Sequence, residues 1–174
     1  ILPAFLFLTI ILIYPLIYNV YLSFLNWRLT SPGNIEFVGF ENYINLFLKH
    51  PDFYDVSIFS IGFTIATIFL EFIIGLLSAL LLYGLIKNRK LVTSILLTPY
   101  MVAPIAVGLS WRLIWDRDLG LANYLLDLLG FNKINWLAES IPAFWSIVIS
   151  EVWRSTPFVT MILLAGLSSL PRDV

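Results

Sequence analysis

Four long apolar stretches constrain this chain more than any other feature of its sequence. They cover approximately residues 1–25, 56–86, 91–115 and 141–167. Each is long enough to cross the hydrocarbon core of a bilayer, which takes about 20 helical residues. Helices are expected, because an open sheet leaves edge backbone groups unbonded in lipid and no alternating barrel pattern is present. The sequence therefore predicts an all-α membrane protein.

The composition argues against several other classes. Of the 174 residues, 60% are hydrophobic and 12% are charged, whereas soluble domains carry about 25% charged residues. The net charge of −1 provides no basic surface for nucleic acid. With no cysteine and a single histidine, His50, the chain is not expected to hold a metal. No G-x-x-x-x-G-K-[ST] motif occurs, so no P-loop for ATP is expected.

Charge in the connections predicts the orientation. The turn Lys87-Asn88-Arg89-Lys90 holds three positive charges, whereas the connections 26–55 and 116–140 hold two each. The positive-inside rule places residues 87–90 and the C-terminal end in the cytoplasm and both longer connections outside. This topology puts five tryptophans at the outer interface, where amphipathic rings are favoured: Trp27, Trp111, Trp115, Trp136 and Trp145.

Each outer connection is predicted to contain a short helix with one apolar face. The first face comprises Phe40, Tyr43, Ile44, Phe47 and Leu48. The second comprises Leu121, Tyr124, Leu125 and Leu128, with Gly130 as the expected C-cap. Packing is the expected role of both faces, and a docking surface for an extracytoplasmic partner is the alternative.

Three ionisable side chains lie within the predicted spans: Glu71, Glu151 and Arg154. Charges at membrane depth are costly, and they either pair or mark a solute path. Glu151 and Arg154 are three residues apart, so they share one helical face and are close enough to pair. A self-neutralising pair facing other helices and a solute-binding group in a water-filled cavity both remain open.

Prolines interrupt two of the spans. Pro157 removes one backbone hydrogen bond and frees carbonyls of the preceding turn. Aromatic and polar groups near such a turn suit a sugar, whose ring faces are apolar and whose hydroxyls form hydrogen bonds. The substrate-path candidates are therefore Glu151, Trp153, Arg154, Ser155 and Phe158. A packing kink is the alternative role for Pro157.

In the third span, Pro99 and Pro104 predict a helix broken twice, a candidate for a gate or a backbone-lined path. A static bend is the alternative. Gly75 and Ala79 form a small-x-x-x-small pair in the second span, which favours close helix contact.

Five stretches, in this order and with these gaps, carry a family resemblance. They are 13–27 (IYPLIYNVYLSFLNW), 38–54 (VGFENYINLFLKHPDFY), 96–104 (LLTPYMVAP), 108–123 (GLSWRLIWDRDLGLAN) and 151–174 (EVWRSTPFVTMILLAGLSSLPRDV). Through them the chain resembles the maltose-type permease subunits of ABC importers, which have the type I importer transmembrane fold.

The resemblance implies about six spans, of which this chain would hold four. Residues 1–55 would supply the first helix and an extracytoplasmic loop. Residues 56–174 would supply the N-terminal part of the permease domain, cut before the E-A-A-x-x-x-G coupling helix. In the family, the helix matching 151–167 lines the substrate cavity, and by position this points to Trp153, Arg154, Ser155 and Phe158.

The expected function is the permease subunit of an ATP-driven importer in a bacterial or archaeal cytoplasmic membrane, moving a sugar or related small solute by alternating access. The implied partners are a second related permease, two ATPase subunits that use the ATP, and an extracytoplasmic solute-binding protein. No catalytic residue or bound cofactor is expected, since no nucleophile or metal constellation is present. The alternatives are glycerol phosphate or another anionic solute held by Arg154, and a non-transport assembly subunit.

Overall fold

The computed structural model describes residues 2–27, 33, 35–84 and 89–169, with the backbone alone for residues 2–6, 89 and 90. The basic turn at 87–90 and the terminal residues 170–174 therefore lie outside the part described with side chains. Apart from one short hairpin, the regular structure of the described chain is helical, which confirms the expected all-α class. The helices are α1 Leu2–Ser23, α2 Glu41–Lys49, α3 Asp52–Gly84, α4 Arg89–Met101, α5 Pro104–Ile114, α6 Leu121–Leu128 and α7 Ser140–Ser169.

The chain divides into two compact units, Ile1–Phe59 and Ser60–Val174. In the first unit, α1 is followed by an antiparallel hairpin that the sequence patterns did not predict. Strand β1 (Leu25–Trp27) pairs with β2 (Ile35–Phe37). Gly39 then turns the chain with a φ of 57°, a left-handed conformation that glycine adopts without a side-chain clash.

Helix α2 confirms the first predicted short helix and is fastened to the end of α1. The Nδ2 of Asn42 donates to the carbonyl oxygens of Ser23 and Leu25, at 2.8 and 3.0 Å. The hydroxyls of Tyr43 and Ser23 form a hydrogen bond of 2.5 Å, and the Tyr43 ring packs against Phe24. Asn42 and Tyr43, which lie in the family-like stretch 38–54, therefore have a structural role in this unit.

Helices α3 and α7, of 33 and 30 residues, are each long and apolar enough to cross a membrane. Within the described residues, α4 and α5 meet the same criteria only as a bent pair, and the apolar helix Phe7–Ser23 is shorter. The structure therefore supports spans at α3 and α7 directly. The first predicted span corresponds to α1, and the third is broken into α4 and α5.

The third predicted span breaks once, not twice. Helices α4 and α5 meet at 87°, and Pro99 lies inside α4. Pro104 occupies the first turn of α5, where its missing N–H costs nothing. Ala103 is extended, with a ψ of 132°, because a residue before proline disfavours the helical conformation. Pro157, by contrast, lies within an α7 that continues past it.

The predicted small-residue pair lies at a close contact between α3 and α7. Gly75 and Ala79 are both buried, and Ala79 packs in a core cluster with Leu82 and Leu164. A β-carbon added to Gly75 would lie 3.0 Å from Cγ1 of Val159. A larger residue at position 75 would therefore require Val159 to shift.

Replacing Gly75 with leucine is expected to lower the free energy of unfolding by about 1–3 kcal/mol, because the added side chain overpacks the α3–α7 contact. The matched control is Gly166→Leu, where an added β-carbon meets no atom within 4 Å. Thermal unfolding of the purified protein in detergent, followed by tryptophan fluorescence, measures both variants. Equal changes in the two variants would contradict a close contact at Gly75.

In the connection 116–140, a turn precedes α6. Oδ1 of Asp116 accepts the backbone N–H groups of Asp118 and Leu119, both at 2.9 Å. These N–H donors, that of Leu119 foremost, hold the pKa of Asp116 below its usual range. At Gly120 a β-carbon would clash with the carbonyl oxygens of Asp116 and Ile114. The turn therefore requires glycine for space, since its φ of −71° is open to any residue.

Asn123, at 1% exposure, holds the rest of this connection together. Its Nδ2 donates to the carbonyl oxygens of Arg117 and Ile134, at 2.9 and 2.8 Å. Its Oδ1 accepts the backbone N–H of Ile134 and the Nε1–H of Trp136, both at 3.0 Å. Helix α6 ends at Leu128 with Leu129 as its C-cap, so the predicted C-cap Gly130 lies one residue further along, where its φ of 77° is the left-handed conformation common just after a helix.

Replacing Asn123 with alanine is expected to destabilise the 116–139 connection by about 3 kcal/mol, because it leaves four polar groups unpaired. The Asn123→Asp variant should also be damaging, since a carboxylate cannot donate to the two carbonyl oxygens. The exposed Asn132→Ala is the control. The rate of limited proteolysis within the connection is the measurement, and an Asn123→Ala rate equal to the control's would contradict this role.

Candidate functional site

On one face of α7, three polar side chains satisfy one another. Arg154 contacts Glu151 in a bidentate manner, with Nε 3.1 Å from Oε2 and Nη2 2.6 Å from Oε1. Oγ of Ser155 donates to the same Oε1 at 2.6 Å. The structure therefore contains the ion pair that the i, i+3 spacing suggested. Because the side chains of Arg154 and Glu151 are 25% and 32% exposed, this group is accessible from one side.

Phe158 lies one helical turn beyond Arg154. Its ring stacks on Tyr100 of α4, with centroids 4.8 Å apart and planes 9° apart. It remains 44% exposed, so part of an aromatic surface stays open near the ion pair. Their spacing therefore places four of the predicted substrate-path residues on one side of α7: Glu151, Arg154, Ser155 and Phe158.

Trp153 lies apart from these four. It contacts Trp111 of α5 edge to face, at a centroid distance of 5.7 Å. It also lines a groove of about 500 Å³ between α3, α4 and α7 that none of the other four residues lines. The predicted cluster is thus divided in two. The ion pair, Ser155 and Phe158 lie on one side of α7, and Trp153 lies at the apolar groove.

The groove is a poor fit for a sugar because its lining is mostly apolar. Its hydroxyl-bearing residues are Ser78, Thr156 and Thr160. Oγ1 of Thr160 donates to the Thr156 carbonyl at 2.9 Å, whereas Oγ1 of Thr156 is buried without a hydrogen-bond partner in the described part of the chain. Pro99 and Pro157 also line this groove, and Pro157 offers no N–H to the carbonyl of Trp153.

Trp115 is enclosed by protein rather than exposed at an interface, with 8% exposure. Its Nε1 donates to Oγ of Ser150 on α7 at 3.0 Å. Its ring packs against Trp111 and Trp136, at centroid distances of 5.3 and 5.0 Å. Sequence reasoning missed Ser150, because no spacing rule relates two residues 35 positions apart.

Glu71 is the third ionisable group that the structure brings to this site. It lies on α3 and interacts electrostatically with both Glu151 and Arg154. The sequence predicts that Glu71 lies at membrane depth. No local pattern predicts which residues of other helices lie near it. Within the described residues, no three His, Asp or Glu side chains come together in a way that could hold a metal ion.

Comparison with known proteins gives relatives over nearly the whole chain. It is 38% identical over 172 residues to the probable ABC transporter permease protein y4oQ of Sinorhizobium fredii, covering 98% of this chain and 55% of that protein. It is 35% identical over 174 residues to the trehalose/maltose transport system permease protein MalF of Thermococcus litoralis, covering 100% of this chain and 58% of that protein. The chain thus spans a little over half of these relatives. No family model matches it.

Among solved structures, the chain is similar to a crystal structure of a bacterial ABC transporter involved in the import of the acidic polysaccharide alginate. The TM-score is 0.76 at 19% identity, with 98% of this chain and 56% of the other covered. This likeness shows the fold, and it agrees with the sequence relatives. The chain belongs to the family of ABC importer permease subunits, whose members include sugar permeases.

Proposed function

We propose that the complete protein is the permease subunit of an ATP-driven importer that moves a neutral sugar across the cytoplasmic membrane of a bacterium or archaeon. The sequence relatives support a sugar, since one is named for trehalose and maltose transport. The site supports a neutral one. Arg154 is bound in a bidentate manner by Glu151, so its charge is already balanced and does not attract an anionic solute. This ion pair is the observation that favours a neutral substrate.

The partners follow from the same proposal. A second related permease would complete the membrane pathway, two ATPase subunits would bind and hydrolyse ATP, and an extracytoplasmic solute-binding protein would deliver the sugar. The chain itself would bind no cofactor. Residues 1–55 would form the first span and an outer loop, and residues 56–174 the first part of the permease domain. The basic segment 87–90 and the C-terminal end of the chain would face the cytoplasm.

The proposed mechanism is alternating access between two packings of similar energy, biased by nucleotide and solute at remote sites. The break between α4 and α5 is a candidate hinge, because backbone hydrogen bonding is interrupted before Pro104. The polar face of α7 would meet the solute through Ser155 and the open part of Phe158, and the ion pair would keep that face electrically neutral. In this proposal Ser155 and Phe158 contact the solute, Glu151 and Arg154 balance each other's charge, and Trp153 packs beside Trp111.

Uptake of radiolabelled sugars by cells that produce the complete transporter tests this function. Neutral sugars such as trehalose, maltose and glucose are compared with sugar phosphates. We expect ATP-dependent uptake of at least one neutral sugar and none of the phosphates. Uptake of the phosphates alone would favour the anionic alternative. Absence of any uptake from an assembled complex would contradict transport of this class of solute.

Changing Arg154 to glutamine is expected to destabilise the assembled transporter by about 2 kcal/mol, because it leaves Glu151 without its counter-charge at membrane depth. Less assembled complex should therefore be recovered. The double variant Glu151→Gln/Arg154→Gln should restore assembly and retain neutral-sugar uptake per assembled complex. The amount of purified complex and the uptake rate are measured for each variant. A double variant that assembles and has lost uptake would instead assign Arg154 to the solute.

A further inference from the structure

Glu71 faces the protein interior rather than lipid. On α3, Thr67, Gly75 and Ala79 are buried. Glu71 lies four residues from both Thr67 and Gly75. Residues four apart lie on one helical face, so Glu71 belongs to the face that packs. It is itself only partly buried, and its neighbours Phe72 and Ile73 are exposed.

The contacts between α3 and α7 place Glu71 level with the polar group of α7. Gly62 lies against Phe144, and Gly75 lies against Val159 and Thr160. Residue numbers rise together along both helices, so the two helices run in the same direction. Glu71 is one turn before Gly75 and is therefore level with the turn before Val159, which contains Ser155. The electrostatic interaction of Glu71 with Glu151 and Arg154 agrees with this register.

The three charges at this level do not balance. Both oxygens of Glu151 accept hydrogen bonds, from Arg154 and from Ser155. Glu71 accepts none from the part of the chain that the structure describes. One guanidinium thus neutralises one carboxylate, and the second carboxylate leaves this site with a surplus negative charge and open acceptor positions. Such a group is costly at membrane depth unless it meets water or a ligand.

We propose that Glu71 is a specificity-determining residue of the importer, which accepts hydrogen bonds from sugar hydroxyls and disfavours anionic solutes by its charge. The inference rests on the proposed function and assigns a role there to a residue on a second helix. Hydroxyls are donors and therefore suit an unpaired carboxylate. A metal cation is a weaker match, since hard cations take six or more oxygen ligands and the described residues provide no such group.

The test uses the purified complete transporter in lipid nanodiscs, without its solute-binding protein. Equilibrium dialysis measures binding of the neutral sugar that the uptake experiment identifies, and of the 6-phosphate of that sugar. In Glu71→Gln, we expect binding of the neutral sugar to weaken about tenfold, as a charged acceptor is replaced by a neutral one. Binding of the phosphate should strengthen relative to the neutral sugar.

Glu139→Gln is the matched control, because Glu139 is an exposed carboxylate before α7. Glu71→Met is the second variant, and it should bind the neutral sugar more weakly than Glu71→Gln because it has no acceptor oxygen. A merely structural Glu71 would leave both affinities unchanged when the glutamine variant assembles.

Sugar binding by Glu71→Gln equal to that of the parent would overturn this inference while leaving the transport function intact. Failure of both Glu71 variants to assemble would also overturn it, by assigning the carboxylate to assembly. If the parent transporter takes up no sugar in the first place, the proposed function itself is the part that fails.

Discussion

The structure depends on one constraint: in hydrocarbon, backbone N–H and C=O groups have to be hydrogen-bonded within the protein. This constraint turns the apolar stretches into helices and gives each proline a local consequence. Before Pro104 the helix stops and the chain turns by 87°. At Pro157 the helix continues, because only one backbone hydrogen bond is lost there. One proline therefore begins a new helix after a break, and the other lies within a continuous helix.

The absence of water from the hydrocarbon core also constrains the charged groups. Arg154, Glu151 and Ser155 form a closed set of hydrogen bonds on α7, and in the described part of the chain Glu71 is left beside them without one. A soluble protein would hydrate such a carboxylate. Here it has to face a cavity, a partner or a solute. The polar group of α7 and Glu71 therefore offer hydrogen bonds that the mostly apolar groove beside Trp153 does not.

Several residues in the stretches that resemble ABC importer permeases hold the local structure together. Asn42 and Tyr43 fasten α2 to the end of α1, and Asn123 binds four groups of the connection 116–140. Gly120 provides space where a β-carbon would meet two carbonyl oxygens. The role of each of these residues is to hold a loop in place.

The sequence by itself determined the helical class, the membrane environment, the short helices of the two longer connections and the shared helical face of Glu151 and Arg154. Each of these follows from hydropathy or from spacing along one helix, which are local properties. Only the tertiary structure decided that Glu71 lies level with that pair, that Trp153 faces a different groove, and that Trp115 bonds Ser150. Such contacts depend on how each helix is rotated and where it crosses its neighbours. Rotation and crossing are set by side-chain packing between distant segments, such as Val159 against Gly75, which no local pattern encodes.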